Sequence, residues 1–479
     1  MQRIFFSGLF ITLLLNILIK PLALFGIDAV VQNRVGPNDY GTYFSLLNLS
    51  ILFNIVLDIG INNYTTKKVA QTPKKAADYF GKVMVLRFVL FIIYSLFTLS
   101  IGYVIGYGEK QFLMLAFLMF NQLLIMIIQF SRSYFSGFHL FKTDAVISVL
   151  DKSLLIILCG FVLYAPITNE SFEIFWFIGI QTICYLITVV VALFLLLRKI
   201  NAKDFFLDLS FSLDLIKKSI PYAILILLMI LYTRSDSVIL ERLHPNGQFQ
   251  TGIYAQGFRL LDALYMFGMV FVGVLYPMFS RQIKKSKHEV FPLLNTAGNL
   301  LMGGTIFVVI ALLFNAESIL SLIYNQNIHE AALSFRWLMI GFIGISLNFI
   351  FGTLLTANGS LRQLCYISIV AIIINITMNL ILIPNLGAEG AAISMLITQG
   401  MVAISQFILA KSIINFPIKL KIILSYLVFI GVLLGVSILF INNSFLLVIQ
   451  ISIGIPGLFI LKFIDINELK NAFIKKGTA

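Results

Sequence analysis

Six basic side chains fall inside stretches of sequence that are otherwise apolar. They are Lys20, Arg87, Lys152, Arg234, Arg259 and Arg336. A lysine or arginine inside an apolar membrane segment costs at least about 3 kcal/mol to insert, so it is expected to face water, a partner or a ligand. Cations that share one wet surface can bind an anionic group through charge-assisted hydrogen bonds. We predict that Lys20, Arg234 and Arg259 bind such a group, and that Arg87 joins them if it faces inward.

Acidic side chains accompany two of these cations closely. Arg234 and Asp236 are two residues apart and point to nearly opposite sides of a helix, so each needs a neighbour of its own. Arg259 and Asp262 are three apart and share a face, where an ion pair and a substrate contact fit the spacing equally well. Asp58 lies near the inner end of its stretch, where an interfacial role is expected. We predict that Asp236, Asp262 and Asp58 form ion pairs or couple an ion to binding.

Several of the charges also have simpler interpretations. Arg87 and Arg336 lie only one or two turns inside their stretches, so snorkelling toward the membrane surface is the favoured interpretation for both. Lys20 precedes Pro21, whose ring removes a backbone donor and favours a kink. A bent helix there could move as a gate while it presents Lys20 to a cavity. Asp28, near the outer end of the same helix, is expected to be solvated.

The composition requires an integral membrane protein. Of the 479 residues, 59% are hydrophobic and 11% charged, and the mean hydropathy is +0.99. A soluble core could not bury so much apolar surface. The first apolar segment is too long for a removable signal peptide and lacks a small-residue cleavage site. Cys159, Cys184 and Cys365 lie in apolar segments without paired spacing, and the histidines are scattered, so we expect no disulfide framework, metal or cofactor.

The hydropathy pattern predicts an all-α protein with about fourteen transmembrane helices, at about 20 apolar residues for each crossing. The predicted ranges are 6–31, 42–63, 82–106, 112–131, 144–164, 173–197, 220–240, 252–278, 291–314, 332–355, 364–383, 389–410, 422–440 and 445–462. With the N-terminus in the cytoplasm, 25 of the 34 basic residues fall on the cytoplasmic side and only Arg34, Lys110 and Arg242 on the other. This bias predicts cytoplasmic termini, and it explains the net charge of +13 without nucleic acid.

A short motif occurs twice along the chain. Gly36-Pro37-Asn38, followed by Gly41-Thr42-Tyr43, is echoed by Pro245-Asn246-Gly247 and Gly252-Ile253-Tyr254. Because both copies follow a helix that starts in the cytoplasm, the repeat is parallel, with a pseudo-twofold axis along the membrane normal. We predict Pro21, Gly36, Pro37 and Gly41 as gating or turn residues.

The repeat also predicts the domain organisation. An N-terminal six-helix lobe covers 1–200, a cytoplasmic linker loop 201–219 and a C-terminal six-helix lobe 220–412. Two additional transmembrane helices and a cytoplasmic tail occupy 413–479. We expect the two lobes to surround a central cavity.

These motifs also carry a family resemblance. Residues 34–43 resemble the "LGPxxYGxY" turn of the polysaccharide flippase family, the Wzx-type transporters of the MOP exporter superfamily. Asp58-Ile59-Gly60-Ile61, leading to Lys67-Lys68-Val69-Ala70, is similar to the "DxGL…R.iA" end of that family's second helix. Val35 stands where Leu is usual, and lysine where Arg is usual. The resemblance implies six plus six helices with two added, and the flipping of undecaprenyl-pyrophosphate-linked repeat units for O-antigen or capsule across the bacterial inner membrane.

Three functions are compatible with such a chain. A flippase would hold a pyrophosphate with inward-facing cations, whereas a MATE-type drug antiporter would need an acidic cavity with few fixed cations. A membrane polymerase or ligase would need a sizeable external loop. The sequence contains no nucleotide-binding loop, zinc motif or nucleophile triad, so an H⁺ or Na⁺ gradient, the membrane potential or substrate supply is the expected driving force. We expect a non-enzymatic monomer whose partners are the lipid-linked oligosaccharide, membrane lipids, and polymerase and chain-length proteins.

Overall fold

The computed structural model describes residues 14–73, 76–164, 172–200, 205–206, 208–417, 420–441 and 443–464. All regular structure in these residues is helical, which confirms the predicted all-α class. The described part of the chain starts with a helix over residues 14–23 (α1), followed by a π-helical turn at Leu24–Asp28. The helices that follow are α2 (Ala29–Leu52), α3 (Ile55–Asp58), α4 (Ile61–Gln71), α5 (Ala76–Ile105), α6 (Glu109–Gly137), α7 (Phe141–Tyr164), α8 (Ile174–Leu197), α9 (Leu209–Leu243), α10 (Gly247–Lys285), α11 (Val290–Phe314), α12 (Ala316–Ser321), α13 (Ile328–Ala357), α14 (Leu361–Ile414), α15 (Leu420–Leu439) and α16 (Leu446–Ile460).

The predicted number of membrane spans is confirmed. Eleven helical runs among the described residues are long and apolar enough to cross a membrane. Two of them, Leu14–Asp58 and Leu361–Ile414, each hold two of the predicted spans. The shorter apolar helix Leu446–Ile460 stands at the position of the fourteenth. The protein is therefore a multi-pass membrane protein.

A glycine divides each of these two double-length runs. Gly36 has φ 81° and is followed by Pro37, while Gly387 has φ 53°. Glycine accepts such backbone angles without the steric cost that a Cβ would impose, and proline suits the first turn of a new helix. The predicted turn at Gly36 and Pro37 is thus a sharp break between two nearly continuous helices.

The helix before the second copy of the motif starts earlier than predicted. α9 begins at Leu209, because the Asp208 side chain accepts a hydrogen bond from the Phe211 amide at 3.0 Å and caps the first turn. Lys82 Nζ lies 2.9 Å from the same carboxylate. The Phe211 amide and then Lys82 hold the pKa of Asp208 below its ordinary value. Part of the stretch predicted as a linker loop is therefore helical.

The chain forms two compact units. One consists of Met1–Gln256 with Ile323–Gln326 and Ile383–Ala388, and the other of Gly257–Leu322, Asn327–Leu382 and Glu389–Ala479. In the first unit, α6 packs against α2, α4, α7 and α8. The core of this unit therefore forms around α6.

In the second unit, α15 and α16 pack on α11. Their contact is an apolar cluster made by Ile306, Ile310, Phe429, Leu433, Leu458 and Phe463. Two buried hydrogen bonds cross the same interface: Gln450 accepts from Asn315 Nδ2 at 2.7 Å and donates to Ser437 Oγ at 2.7 Å. These bonds link α15 and α16 to the end of α11, and they leave none of the bonded atoms without a partner.

Candidate functional site

Lys20 lies on a helix that stays α-helical through residue 23 and then forms the π-helical turn Leu24–Asp28. The kink predicted at Pro21 stays a prediction. One turn before Lys20, Asn16 Nδ2 donates to Ser148 Oγ at 2.9 Å and fastens α1 to α7. This contact brings Lys20 next to the charged stretch of α7.

Five charged residues form a cluster there, which we call the Lys20 cluster. Its members are Lys20, Arg132, Asp144, Asp151 and Lys152. Arg132 Nε lies 2.7 Å from Asp144 Oδ1, and Lys152 Nζ lies 3.3 Å from Asp151 Oδ2. Lys20 is partly buried, attracted by Asp151 and repelled by Arg132 and Lys152, and it forms no ion pair with any residue that the structure describes. Three cations and two carboxylates leave the cluster with one excess positive charge, which an anion could neutralise.

Tyr185 completes the surroundings of Lys152. Lys152 Nζ donates to Tyr185 Oη at 3.0 Å and lies 5.1 Å from the centre of the ring. Tyr185 and Arg132 were not predicted as site residues, and Arg132 was one of the 25 basic residues expected on the cytoplasmic side. The available signal was the position of Tyr185 in the middle of its span, because tyrosines that anchor a helix at the membrane surface lie near helix ends.

Arg234 and Asp236 face different helices, as their spacing predicted. Arg234 Nη1 lies 3.5 Å from Asn48 Oδ1 on α2. Asp236 is 1% exposed, and its Oδ2 accepts from Tyr254 Oη on α10 at 3.4 Å. Arg234 therefore contacts α2, and Asp236 contacts α10.

Arg259 and Asp262 form the i,i+3 pair that their spacing allowed. Arg259 Nη1 lies 3.8 Å from Asp262 Oδ2, and both side chains are mostly buried in the second unit. Arg336, expected at the surface, keeps 36% of its side chain exposed and lies 3.4 Å from Glu317. The roles predicted for Arg259 and Asp262 in binding or coupling stay predictions.

Two expectations about single charges were wrong. Arg87 does not snorkel: its side chain is 0% exposed, and its Nη2 lies 3.1 Å from Asp58 Oδ1. Asp28 is not solvated: it is 6% exposed and accepts from Tyr40 Oη at 2.8 Å. In both cases a partner from another helical segment replaces the water that the sequence suggested, and a buried charge with such a partner needs no solvent.

The two copies of the sequence motif meet directly. A Cβ added at Gly41 would lie 1.9 Å from the Gln248 carbonyl oxygen, and one added at Gly252 would lie 2.1 Å from the Pro37 carbonyl oxygen. Gln32 Nε2 donates to the Gly252 carbonyl at 2.8 Å. Helix α2, just after its break at Gly36, therefore lies backbone against backbone on the start of α10, and we call this contact the glycine crossing.

The described residues contain no group of three or more His, Cys, Asp or Glu side chains arranged to hold a metal ion. Of the four cations predicted to bind an anion, Lys20, Arg87 and Arg234 belong to the first unit and Arg259 to the second.

Comparison with solved structures identifies the fold. The chain is similar to the lipid II flippase MurJ in an inward closed conformation, with a TM-score of 0.71 and 16% identity over 96% of this chain and 99% of that one. It is also similar to an inward-facing multidrug resistance MATE family transporter of the MOP superfamily, with a TM-score of 0.60 and 14% identity over 83% and 94% of the two chains. A MOP superfamily transporter from Pyrococcus furiosus gives 0.54 and 13% over 85% and 94%. These TM-scores establish a shared fold.

The sequence itself matches a family model. No curated protein matches the chain significantly. The model described as "Polysaccharide biosynthesis protein" matches residues 5–283, which is more than half of the chain and includes both motifs that suggested the resemblance. The chain therefore belongs to the polysaccharide biosynthesis protein family and has the all-helical fold of MOP superfamily transporters.

Proposed function

We propose that this protein is a flippase that moves a lipid-linked oligosaccharide with an anionic headgroup across the bacterial inner membrane, for surface polysaccharide synthesis. Membership of the polysaccharide biosynthesis family supports the sugar part of the cargo. The fold shared with a lipid II flippase supports a lipid-linked form. The observation that carries the proposal is the excess positive charge of the Lys20 cluster, inside the membrane-spanning part of the first unit.

The cargo we propose is a repeat unit on undecaprenyl pyrophosphate, such as an O-antigen or capsule unit. Lys20 would donate to a phosphate oxygen, since its ammonium has no ion pair among the described residues. A hydrogen bond to a charged group is worth about 1.5–3 kcal/mol, or roughly 10- to 150-fold in affinity. Arg234 offers a planar fork of donors that suits bidentate binding of phosphate.

Transport would proceed by alternating access of two lobes, at 1–200 and 220–412, with both termini in the cytoplasm. An ion gradient would supply the energy, with Asp236 and Asp262 as the predicted coupling carboxylates. A drug antiporter would instead need carboxylates without fixed cations beside them. In the Lys20 cluster both carboxylates lie within ion-pair distance of an arginine or lysine, which favours an anionic cargo.

The decisive experiment replaces Lys20. In a strain that lacks its own copy of the transporter, K20Q should abolish surface polysaccharide at equal protein level, while K20R should retain part of it. The purified K20Q variant should bind undecaprenyl pyrophosphate at least tenfold more weakly. K199Q is the matched control, because Lys199 is exposed and lies outside every span. Wild-type binding and polysaccharide in K20Q would refute an anion site at Lys20.

A further inference from the structure

The second predicted span is broken at a strained position. Helix α3 ends at Asp58 and α4 begins at Ile61; between them Ile59 has φ 41° and Gly60 has φ 76°. Glycine tolerates this left-handed conformation, whereas it is a genuine outlier for a β-branched residue. Strain of this kind persists only where surrounding contacts hold it. The structure must therefore contain an element that stabilises the break.

Arg87 on α5 is that element. Its Nη2 donates to Asp58 Oδ1 at 3.1 Å and to Asn62 Oδ1 at 2.7 Å, and its Nη1 donates to the Leu57 carbonyl at 3.4 Å. The guanidinium thus bonds to residues on both sides of the break. Asp58 Oδ1 also accepts from the Asn62 amide at 3.1 Å, which helps to start α4. Because Arg87 is completely buried, it has no surface left to offer a cargo.

The break sets the direction of the segment that follows. Helix α4 lies along α6, with Asn62 beside Gln129 at 3.5 Å and Thr66 Oγ1 3.3 Å from the Ser133 carbonyl. One turn further, a Cβ added at Gly137 would lie only 2.7 Å from Val69 Cβ. The contacts advance by one turn on each helix, so α4 keeps its register on α6 over its whole length. If residues 58–61 formed a straight helix instead, α4 would point away from α6.

We propose that Arg87 is a positioning residue for transport: it holds the bent form of residues 58–61, and this bend keeps α4 on α6 in the arrangement that transport requires. The inference rests on the proposed transport function, and it replaces the cargo-binding role that the sequence suggested for Arg87. The proposal also explains why Asp58 and Gly60 occur two residues apart. Asp58 supplies the anion that Arg87 needs, and Gly60 supplies the backbone freedom.

The test measures the position of α4 directly. The three native cysteines are replaced, T66C and S133C are introduced, and their cross-linking by a short bifunctional thiol reagent is followed. The variant D58A/R87M removes both charges together, so it leaves no buried ion without a partner. We expect its cross-linking to fall at least fivefold at unchanged protein level. Adding I59G should restore cross-linking to within twofold of the parent, because glycine removes the strain that opposes the bend.

G60A supplies an independent variant that touches no charge. Alanine is strained at φ 76°, so G60A should also lower cross-linking at least fivefold. Unchanged cross-linking in D58A/R87M, or in G60A if the first variant does not fold, would overturn the proposal.

Polysaccharide export is measured in the same variants. It should fall with cross-linking and return with I59G, and export that stays at the parent level while cross-linking falls would overturn the positioning role. If the parent exports no polysaccharide, the proposed function fails, whereas the cross-linking result still decides whether Arg87 holds the bend.

Discussion

The glycine crossing gives the sharpest prediction for a single added methyl group. In G41A the new Cβ would lie 1.9 Å from the Gln248 carbonyl oxygen, whereas ordinary contacts of this kind begin at 3.4 Å. Helices α2 and α10 must then separate by roughly 1.5 Å to reach van der Waals distance. Relief through a side-chain rotamer is impossible, because the opposing atoms belong to the backbone.

The size of the effect follows from the cost of overpacking. Inserting a methyl group into a filled contact typically costs about 1–3 kcal/mol. If that cost falls only on conformations in which the crossing is closed, the population with the two helices apart rises about 5- to 150-fold. G252A should act in the same direction, since its Cβ would lie 2.1 Å from the Pro37 carbonyl oxygen.

Thiol labelling reports this population. Thr251, next to the crossing, is 0% exposed, so T251C in a background without native cysteines should react slowly with a water-soluble maleimide added to the detergent-solubilised protein. G41A should accelerate the reaction at least fivefold. The control is G179A, because no atom lies within 4 Å of a Cβ added there. Equal labelling rates in G41A and the parent, or equal acceleration by G179A, would refute the steric reasoning.

Three further substitutions test separate contacts by thermal unfolding of the detergent-solubilised protein. D208N should lower the unfolding temperature at pH 7. Because the pKa of Asp208 is depressed in the folded protein, the difference between D208N and the parent should shrink as the pH falls below the ordinary aspartate value of about 3.9. A difference in unfolding temperature that persists at lower pH would contradict this cause. Q450A should cost about 1–3 kcal/mol, since it removes the buried hydrogen bonds to Asn315 and Ser437, each of which keeps one bond to a backbone carbonyl. S452A, at an exposed position, should cost nothing measurable. W337F should cost about 1.5–3 kcal/mol, because it removes the indole donor that lies 2.8 Å from Glu389 Oε1.

The number of spans and the position of the first turn could be predicted because each depends on local sequence. A span is defined by the transfer free energy of about 20 consecutive residues, and no distant contact can change that sum. The break at Gly36 is equally local, since glycine followed by proline ends one helix and starts the next. The opposite directions of Arg234 and Asp236 required only the helical period.

The partners of the buried charges could not be predicted in the same way. Asp28 was expected to be solvated because it lies near the outer end of its predicted span, yet Tyr40, which follows the break at Gly36, donates a hydrogen bond to its carboxylate. Arg87 was placed at the surface because it lies near the end of its span, yet Asp58 and Asn62 approach it from a different helix. Both errors arise because tertiary contacts, rather than distance along one helix, decide whether a charge needs water.

The number of hydrogen-bond and ion-pair partners distinguishes a charge that stabilises the fold from the charge best suited to bind a cargo. Arg87 bonds to three residues and is completely buried, and breaking such an arrangement typically costs about 3–5 kcal/mol. A cargo phosphate that bound Arg87 would have to break one of these bonds, and its binding would be weakened by that cost. Lys20 is different, because Asp151 attracts it but already lies 3.3 Å from Lys152. A phosphate that reached Lys20 would therefore break no ion pair of Lys20 among the described residues.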